Sequence, residues 1–329
     1  MRLDLVLALG CVLEPRFTKS PAEHVPHQFP VESQFQVPLQ FPLQFPPQLP
    51  PKQTYRPVVV WHGLGDNYNS SGMIKSGEII ENKYPGIFVH RISLDSDPLK
   101  DQQMSIVGDA WDELASVCEQ IGAIPELEHG FDMLGFSQGG LFSRALVQTC
   151  PNATVRNLIT FGSPHMGVLE LPKCANERDW LCKRRNELLK RQVWHDLVQR
   201  TVIPAQYFRD TYDYEKYVCR SRFLAPINNE SSNKHPEYKE RLGELEKFVM
   251  VEFGQDTTVN PKESAVFGEI DAVSGNVIPM EQTNLYKEDN LGLERMHHEG
   301  ILSFLRVDGE HMDIPEEFFT GLVEQYLGK

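Results

Sequence analysis

The chain has 329 residues, 40% of them hydrophobic and 24% charged, with 46 acidic against 32 basic side chains and a net charge of −14. That length can bury a sizeable core, in one large domain or two smaller ones, and the acidic balance excludes a dedicated binder of nucleic-acid backbones, which carries a basic excess. No run reaches the roughly 18–20 apolar residues that cross a bilayer, so a polytopic membrane protein is excluded too, and six cysteines allow two or three staples but no disulfide scaffold.

The first segment, MRLDLVLALGCVLEP, carries Arg2 and then an apolar run from Leu5 to Leu13, the pattern of a short secretory signal. Asp4 interrupts it, and no small-x-small cleavage site follows. Residues 26–51 then hold 8 of the 23 prolines and 6 glutamines, with a four-residue period marked by Pro38, Pro42, Pro46 and Pro50. Proline fixes φ and removes backbone donors, so this tract favours extended polyproline II and builds no core. The expected organisation is a signal-like leader over 1–24, a Pro/Gln/Phe-rich disordered spacer over 25–54, and a folded domain over 55–329. Residues 1–54 contain four acidic and four basic side chains, which assigns the whole net charge to the folded part.

From Arg56 onward, strand-like runs alternate with helical patterns. PVVVWHG (57–63), IFVHRI (87–92), FDMLGF (131–136), NLITFG (157–162), FVMVEFG (248–254) and SFLRVDG (303–309) read as strands, several of them apolar throughout, as in a sheet covered on both faces. Stretches 101–122 and 138–149 have helical spacing. The alternation predicts an α/β fold with a mostly parallel sheet. Residues 163–247 interrupt it with little strand signal, and Trp180, Leu181, Leu188, Leu189, Val193, Trp194, Leu197 and Val198 recur at helical spacing within 176–200. Such a helical insertion serves as a cap over a substrate site or simply as packed core.

Gly135-Phe136-Ser137-Gln138-Gly139 matches G-x-S-x-G between a predicted strand and a predicted helix, the context of a strained turn that presents a nucleophilic serine. A glycine-rich turn with an incidental serine is the plainer alternative. The serine needs a base, and a group that orients the base. In the order serine, acid, histidine, the downstream histidines are His165, His195, His235, His297, His298 and His311. His311 is favoured because it follows the last predicted strand, whereas His297 and His298 lie in the charged stretch LERMHHEG. Asp256 follows the strand FVMVEF, at the sheet end where α/β proteins hold their sites; Asp271, in a Gly/Ser-rich loop, is its rival. Backbone amides of Gln138 and of Leu64, in His62-Gly63-Leu64-Gly65-Asp66, are the expected oxyanion donors. No HExxH or close Cys/His ligand set occurs, so neither metal nor cofactor is expected.

These motifs resemble the palmitoyl-protein thioesterase family, nearest its lysosomal type 1 branch, over roughly residues 56–329. The resemblance rests on VVVWHGLGD, MLGFSQGGLFSRA, FGSPHMGV, FVMVEFGQDTTVNPKESAVFG, NLGLERM and VDGEHM. Two positions depart from the type 1 pattern: Asn67-Tyr68 replaces adjacent cysteines, and GSPHMG stands where GGQHQG is usual. The resemblance implies an α/β-hydrolase fold with a helical insertion (about 163–247) whose apolar residues shape a fatty-chain groove. It implies hydrolysis of long-chain acyl thioesters on protein or peptide cysteines undergoing lysosomal degradation. Ser137 is then nucleophile, Asp256 orienting acid, His311 base, and Leu64 and Gln138 the oxyanion donors. A lipase or carboxylesterase with the same triad, a type 2-like thioesterase, and an inactive hydrolase-fold binding module are the alternatives. The resemblance also pairs Cys118 with Cys150 and Cys174 with Cys182. With N-x-S/T sequons at Asn69, Asn152 and Asn229, it places the protein in the lysosome or the secretory route, with no integral membrane segment in the mature chain and no nucleic-acid partner.

Overall fold

The computed structural model describes residues 55–170 and 191–329. The leader, the proline tract, Cys174, Cys182 and the 176–190 part of the expected aromatic stripe lie outside the described residues.

Six strands form one all-parallel sheet: β1 (Val58–Trp61), β2 (Val89–Arg91), β3 (Phe131–Phe136), β4 (Val155–Phe161), β5 (Lys247–Phe253) and, after a short hairpin, β8 (Leu302–Val307). Their spatial order is β2-β1-β3-β4-β5-β8. The hairpin pairs β6 (Glu269–Ile270) with β7 (Val277–Ile278) antiparallel, within the region read from sequence as a Gly/Ser-rich loop. All six expected strands of the main sheet are present, with ends moved by a residue or two.

Successive strand side chains point to opposite faces. Val58 and Val60 of β1 pack in one cluster with Ile159, Val249 and Phe319; Val59 and Trp61 pack in the other with Met133, Phe142 and Phe248. The first face is covered by α1 (Ser71–Lys83) and α12 (Glu316–Tyr326), the second by α3 (Ala110–Gly122) and α4 (Gln138–Thr149). Two-sided cover is why the central strands read as unbroken apolar runs. Each fully buried Val, Leu, Ile or Phe contributes about 1.5–3 kcal/mol.

The single helical stretch expected over 101–122 is two helices, α2 (Pro98–Met104) and α3. Asp109 separates them: its side chain accepts from Trp111 N and caps α3, an arrangement favoured over helix continuation by a short carboxylate. Cys118 on α3 is disulfide-bonded to Cys150 at the end of α4, closing a separation of 32 residues.

The described part of the insertion is a chain of short helices: α5 (Asp196–Thr201), α6 (Ile203–Gln206), α7 (Tyr214–Arg220), α8 (Leu224–Ile227) and α9 (Pro236–Leu242). A continuous stripe through residue 200 is therefore corrected. His195 caps α5, so Val193 and Trp194 precede the helix, and Leu197, expected inside, is 63% exposed. Two buried arginines anchor this region. Arg144 of α4 donates to His165 O, Asn228 Oδ1 and Gln148 Oε1, with no carboxylate partner among the described residues, and burial lowers its pKa to about 9. Arg209 binds Glu230 at 2.6 Å and Glu269 at 2.9 Å, with Tyr214 and Tyr217 donating their hydroxyls to Glu230.

Among the described residues no helix is long and apolar enough to cross a membrane.

Candidate active site

Ser137 stands between the end of β3 and the first turn of α4, with φ 51° and ψ −122°, a conformation L-residues rarely adopt. Tight packing of glycine backbone sustains it. A Cβ on Gly135 would lie 2.3 Å from Gly140 Cα, and one on Gly139 would lie 2.3 Å from His62 O. Ser137 N donates to Phe161 O at 2.8 Å, tying the turn to β4. The strained turn pushes the hydroxyl off the sheet end rather than into the core.

The other two partners arrive on neighbouring strands. β5 and β8 run side by side, and the loops that follow them are joined by Gln255 N donating to Gly309 O at 2.9 Å. This brings Asp256 beneath His311: the Nδ1 to Oδ2 separation is 2.6 Å, and His311 Nε2 lies 2.9 Å from Ser137 Oγ. Asp256 is almost wholly buried, with its Oδ1 accepting from Thr258 N and Val259 N. Those two amides fix the carboxylate, which accepts a hydrogen bond from the His311 Nδ1–H and leaves Nε2 as the acceptor facing the serine. Met312, at φ 65°, turns the chain sharply just after the histidine.

The remaining histidines are held elsewhere. His165 is fully buried against Phe267 and Thr160, and burial together with the nearby Arg144 charge lowers its pKa well below the ordinary value. His195 caps α5, His235 contacts Glu237, and His297 contacts Tyr286. Asp271 stays in the exposed hairpin turn, bonded to Ser274.

Gln138 is the first residue of α4, where a backbone N–H has no partner within the helix. Leu64, in the turn after β1, borders the same cavity as Ser137 and His311. Asp101 steadies that turn. Burial opposes its ionisation, but the His62 imidazole 3.2 Å away and hydrogen bonds from the N–H groups of Leu94 and Tyr68 outweigh this and hold its pKa below the usual carboxylate value. Nothing in the sequence motifs distinguished Asp101, Ser105 or Tyr207, whose importance lies in contacts across the fold.

The cavity measures about 440 Å³, within the usual size range of ligand pockets. Among the described residues its apolar wall is a cleft between α1 and the start of α12, with Met73 and Ile79 on one side, Ile314 and Phe319 on the other, and Phe136 of β3 between them. The described part of the 163–247 region adds Pro164, Val168 and Tyr207. Lys75 and Glu316 form an ion pair at 2.8 Å on the cavity border. Further along the same two helices, Lys83 pairs with Glu324 and Tyr84 donates to Val323 O.

Of the three sequons, Asn69 and Asn152 are exposed. Asn229 is corrected as an acceptor of sugar. It is 5% exposed, its Nδ2 donates to His235 O and Asn290 O, and its Oδ1 accepts from His235 N. A glycan on that nitrogen would break this packing. Among the described residues no three His, Cys, Asp or Glu side chains are grouped to hold a metal ion.

The family model for palmitoyl protein thioesterase matches residues 57–311. Palmitoyl-protein thioesterase 1 of Caenorhabditis elegans is 38% identical over 276 residues, covering 82% of this chain and 91% of the relative. Palmitoyl-protein thioesterase 3 of Dictyostelium discoideum is 34% identical over 278 residues, covering 83% and 92%. The lysosomal thioesterase PPT2-B of Xenopus laevis is 25% identical over 280 residues, covering 83% and 93%. The match spans the strands, the serine turn and the loops that carry Asp256 and His311, and on it the chain belongs to the palmitoyl-protein thioesterase family.

Proposed function

We propose that residues 55–329 form a serine thioesterase that removes long-chain acyl groups, palmitoyl above all, from cysteines of proteins and peptides. The observation that carries this reading is the hydrogen-bonded run Ser137–His311–Asp256 opening onto an apolar cavity, in a chain of this family.

His311 Nε2 takes the Ser137 hydroxyl proton as Oγ attacks the thioester carbonyl. The carbonyl oxygen gathers negative charge and rests on the N–H groups of Leu64 and Gln138. The C–S bond then breaks, the cysteine sulfur leaves with the proton held by the imidazole, and an acyl-serine remains. Water, losing its proton to the same nitrogen, attacks that ester and releases the fatty acid and free Ser137. Asp256 stays ionised throughout and stabilises the imidazolium. The acyl chain lies in the cleft between α1 and α12.

One relative's name and the chain's own disulfide and sequons bear on compartment. The Xenopus relative is named as a lysosomal enzyme, and a disulfide with two exposed sequons suits the secretory route. We therefore place the protein in the lysosome or along the path to it.

The test is Ser137→Ala on a palmitoylated peptide. Loss of turnover by several orders of magnitude is expected, because triad removal acts on the whole unit; activity within about tenfold of wild type would remove Ser137 from the role. Running palmitoyl thioester and long-chain oxygen ester in parallel separates this activity from that of a lipase, for which the ester is the faster substrate.

A further inference from the structure

Ser105, at the C-terminal end of α2, is 2% exposed and touches no substrate-facing surface of its own. Its position is nevertheless unusual. Its Oγ accepts from Gly65 N at 2.8 Å and donates to Gln102 O at 2.7 Å, while its carbonyl accepts from Gln138 Nε2 at 2.9 Å. One residue thus grips both segments that supply the oxyanion amides.

Each grip is doubled. Gln102 Nε2 donates to Gly65 O, so both polar groups of Gly65 are held from α2. That glycine sits at φ 72°, with nothing within 4 Å of where a Cβ would be, so it is there for its backbone angle and needs its N–H and C=O anchored to keep it. On the other side, Tyr207 OH donates to Gln138 Oε1, fixing the second end of the same amide, and Gln138 is 3% exposed. α2 itself is tied down by Asp101, which accepts from Leu94 N and Tyr68 N.

We propose that Ser105 is a positioning residue for acyl transfer: it sets the spacing between the Leu64 and Gln138 amides and so tunes their fit to the developing oxyanion. The inference rests on the serine-thioesterase reading above. Two donors borne on separate segments, one on a loop and one at a helix start, stabilise the transition state only if their separation is held to within about 0.5 Å, and removing a donor outright lowers kcat about 10²–10³-fold. Loosening one should give a smaller loss of the same kind.

Ser105→Ala deletes the acceptor for Gly65 N–H. The expected result is a kcat lower by about 10–100-fold with KM within about twofold, the signature of an interaction made chiefly in the transition state. A long-chain trifluoromethyl ketone supplies the readout that mere loss of stability would not move. Ser137 Oγ adds to its carbonyl carbon, the serine proton passes to His311, and the resulting oxyanion lies on the two amides. Its affinity should fall with kcat, while that of palmitate, the released acid, should not. Ser105→Thr restores a hydroxyl and should recover much of kcat.

Ser221→Ala is the control: it removes a comparable buried contact, Ala225 N to Ser221 Oγ at 3.1 Å, and should leave kcat and ketone affinity unchanged. Gln138→Met severs the tie from its other end while keeping the backbone donor, and should reproduce the kcat loss even where Ser105→Ala does not fold. Wild-type kcat and ketone affinity in Ser105→Ala, or in Gln138→Met, overturn the proposal. An active Ser137→Ala overturns the serine-thioesterase reading instead, so the two failures are told apart.

Discussion

Glu113 lies on α3, 5% exposed, with its Oε1 lacking a hydrogen-bond partner among the described residues. Burial, reinforced by the negative charges of Asp101 and Asp109, pushes its carboxyl from the ordinary 4.5 up to about 8. The folded protein therefore keeps a proton between these two values that the unfolded chain gives up. Stability linked to this proton is fully present below the unfolded value and drains away as pH rises toward the folded one. Each pH unit in that window is worth about 1.4 kcal/mol. Going from about pH 5 to about pH 7.5 thus removes about 3 kcal/mol through this one residue, or about 6 °C of melting temperature at roughly 2 °C per kcal/mol for a domain of this size. Glu113→Gln keeps the shape and abolishes the titration. Urea unfolding of both proteins at the two pH values is the assay. The variant should gain on wild type by about 3 kcal/mol as pH rises over that interval. A stability difference between the two proteins that is the same at both pH values refutes the assignment. Through this one residue the fold is favoured near pH 5 over neutral pH.

Three further outcomes follow from the described contacts. Ile79→Trp, which fills the cleft between α1 and α12, should lower kcat/KM for a palmitoyl thioester about tenfold relative to an octanoyl one, a change on the scale by which hydrophobic pockets discriminate chain length; a chain-length profile checks it, and an unchanged ratio would place the acyl chain elsewhere. Arg209→Met leaves Glu230 buried without its partner and should cost about 3–5 kcal/mol of stability in chemical denaturation, whereas Arg209→Met with Glu230→Met should recover part of that loss. Cys118→Ser with Cys150→Ser opens a separation of 32 residues, which the chain-entropy account values at about 3–4 kcal/mol, read as a lower urea midpoint.

Much of the framework was legible from residue order because it depends on local, repeating chemistry. PVVVWHG, FDMLGF and FVMVEFG are apolar on both strand faces, and that pattern alone implies cover on both sides. The serine motif is visible because the turn at Ser137 requires glycine at fixed offsets, where a Cβ would collide with backbone. Asp256 and His311 were found by their position after strands, although nothing local required their 2.6 Å approach; that comes from the neighbouring register of β5 and β8. Asn229 shows the reverse. Its sequon is complete in sequence, yet its amide is consumed by contacts with His235 and Asn290.

What the sequence determined by itself was the α/β class, the strand positions, the serine turn and the expected chain order of acid and base. All of these are set by periodicity and by steric rules acting over a few residues. Only the tertiary structure decided where the apolar cleft lies, that Arg144 is buried among neutral hydrogen-bond acceptors, that the Glu113 carboxyl is pushed up by burial, and that Ser105 links the turn after β1 to Gln138. Those properties belong to side chains whose partners come from distant parts of the chain. A buried charge or a shared hydrogen bond takes its free energy from those partners and the exclusion of water, and neither is written in the residue's own neighbourhood.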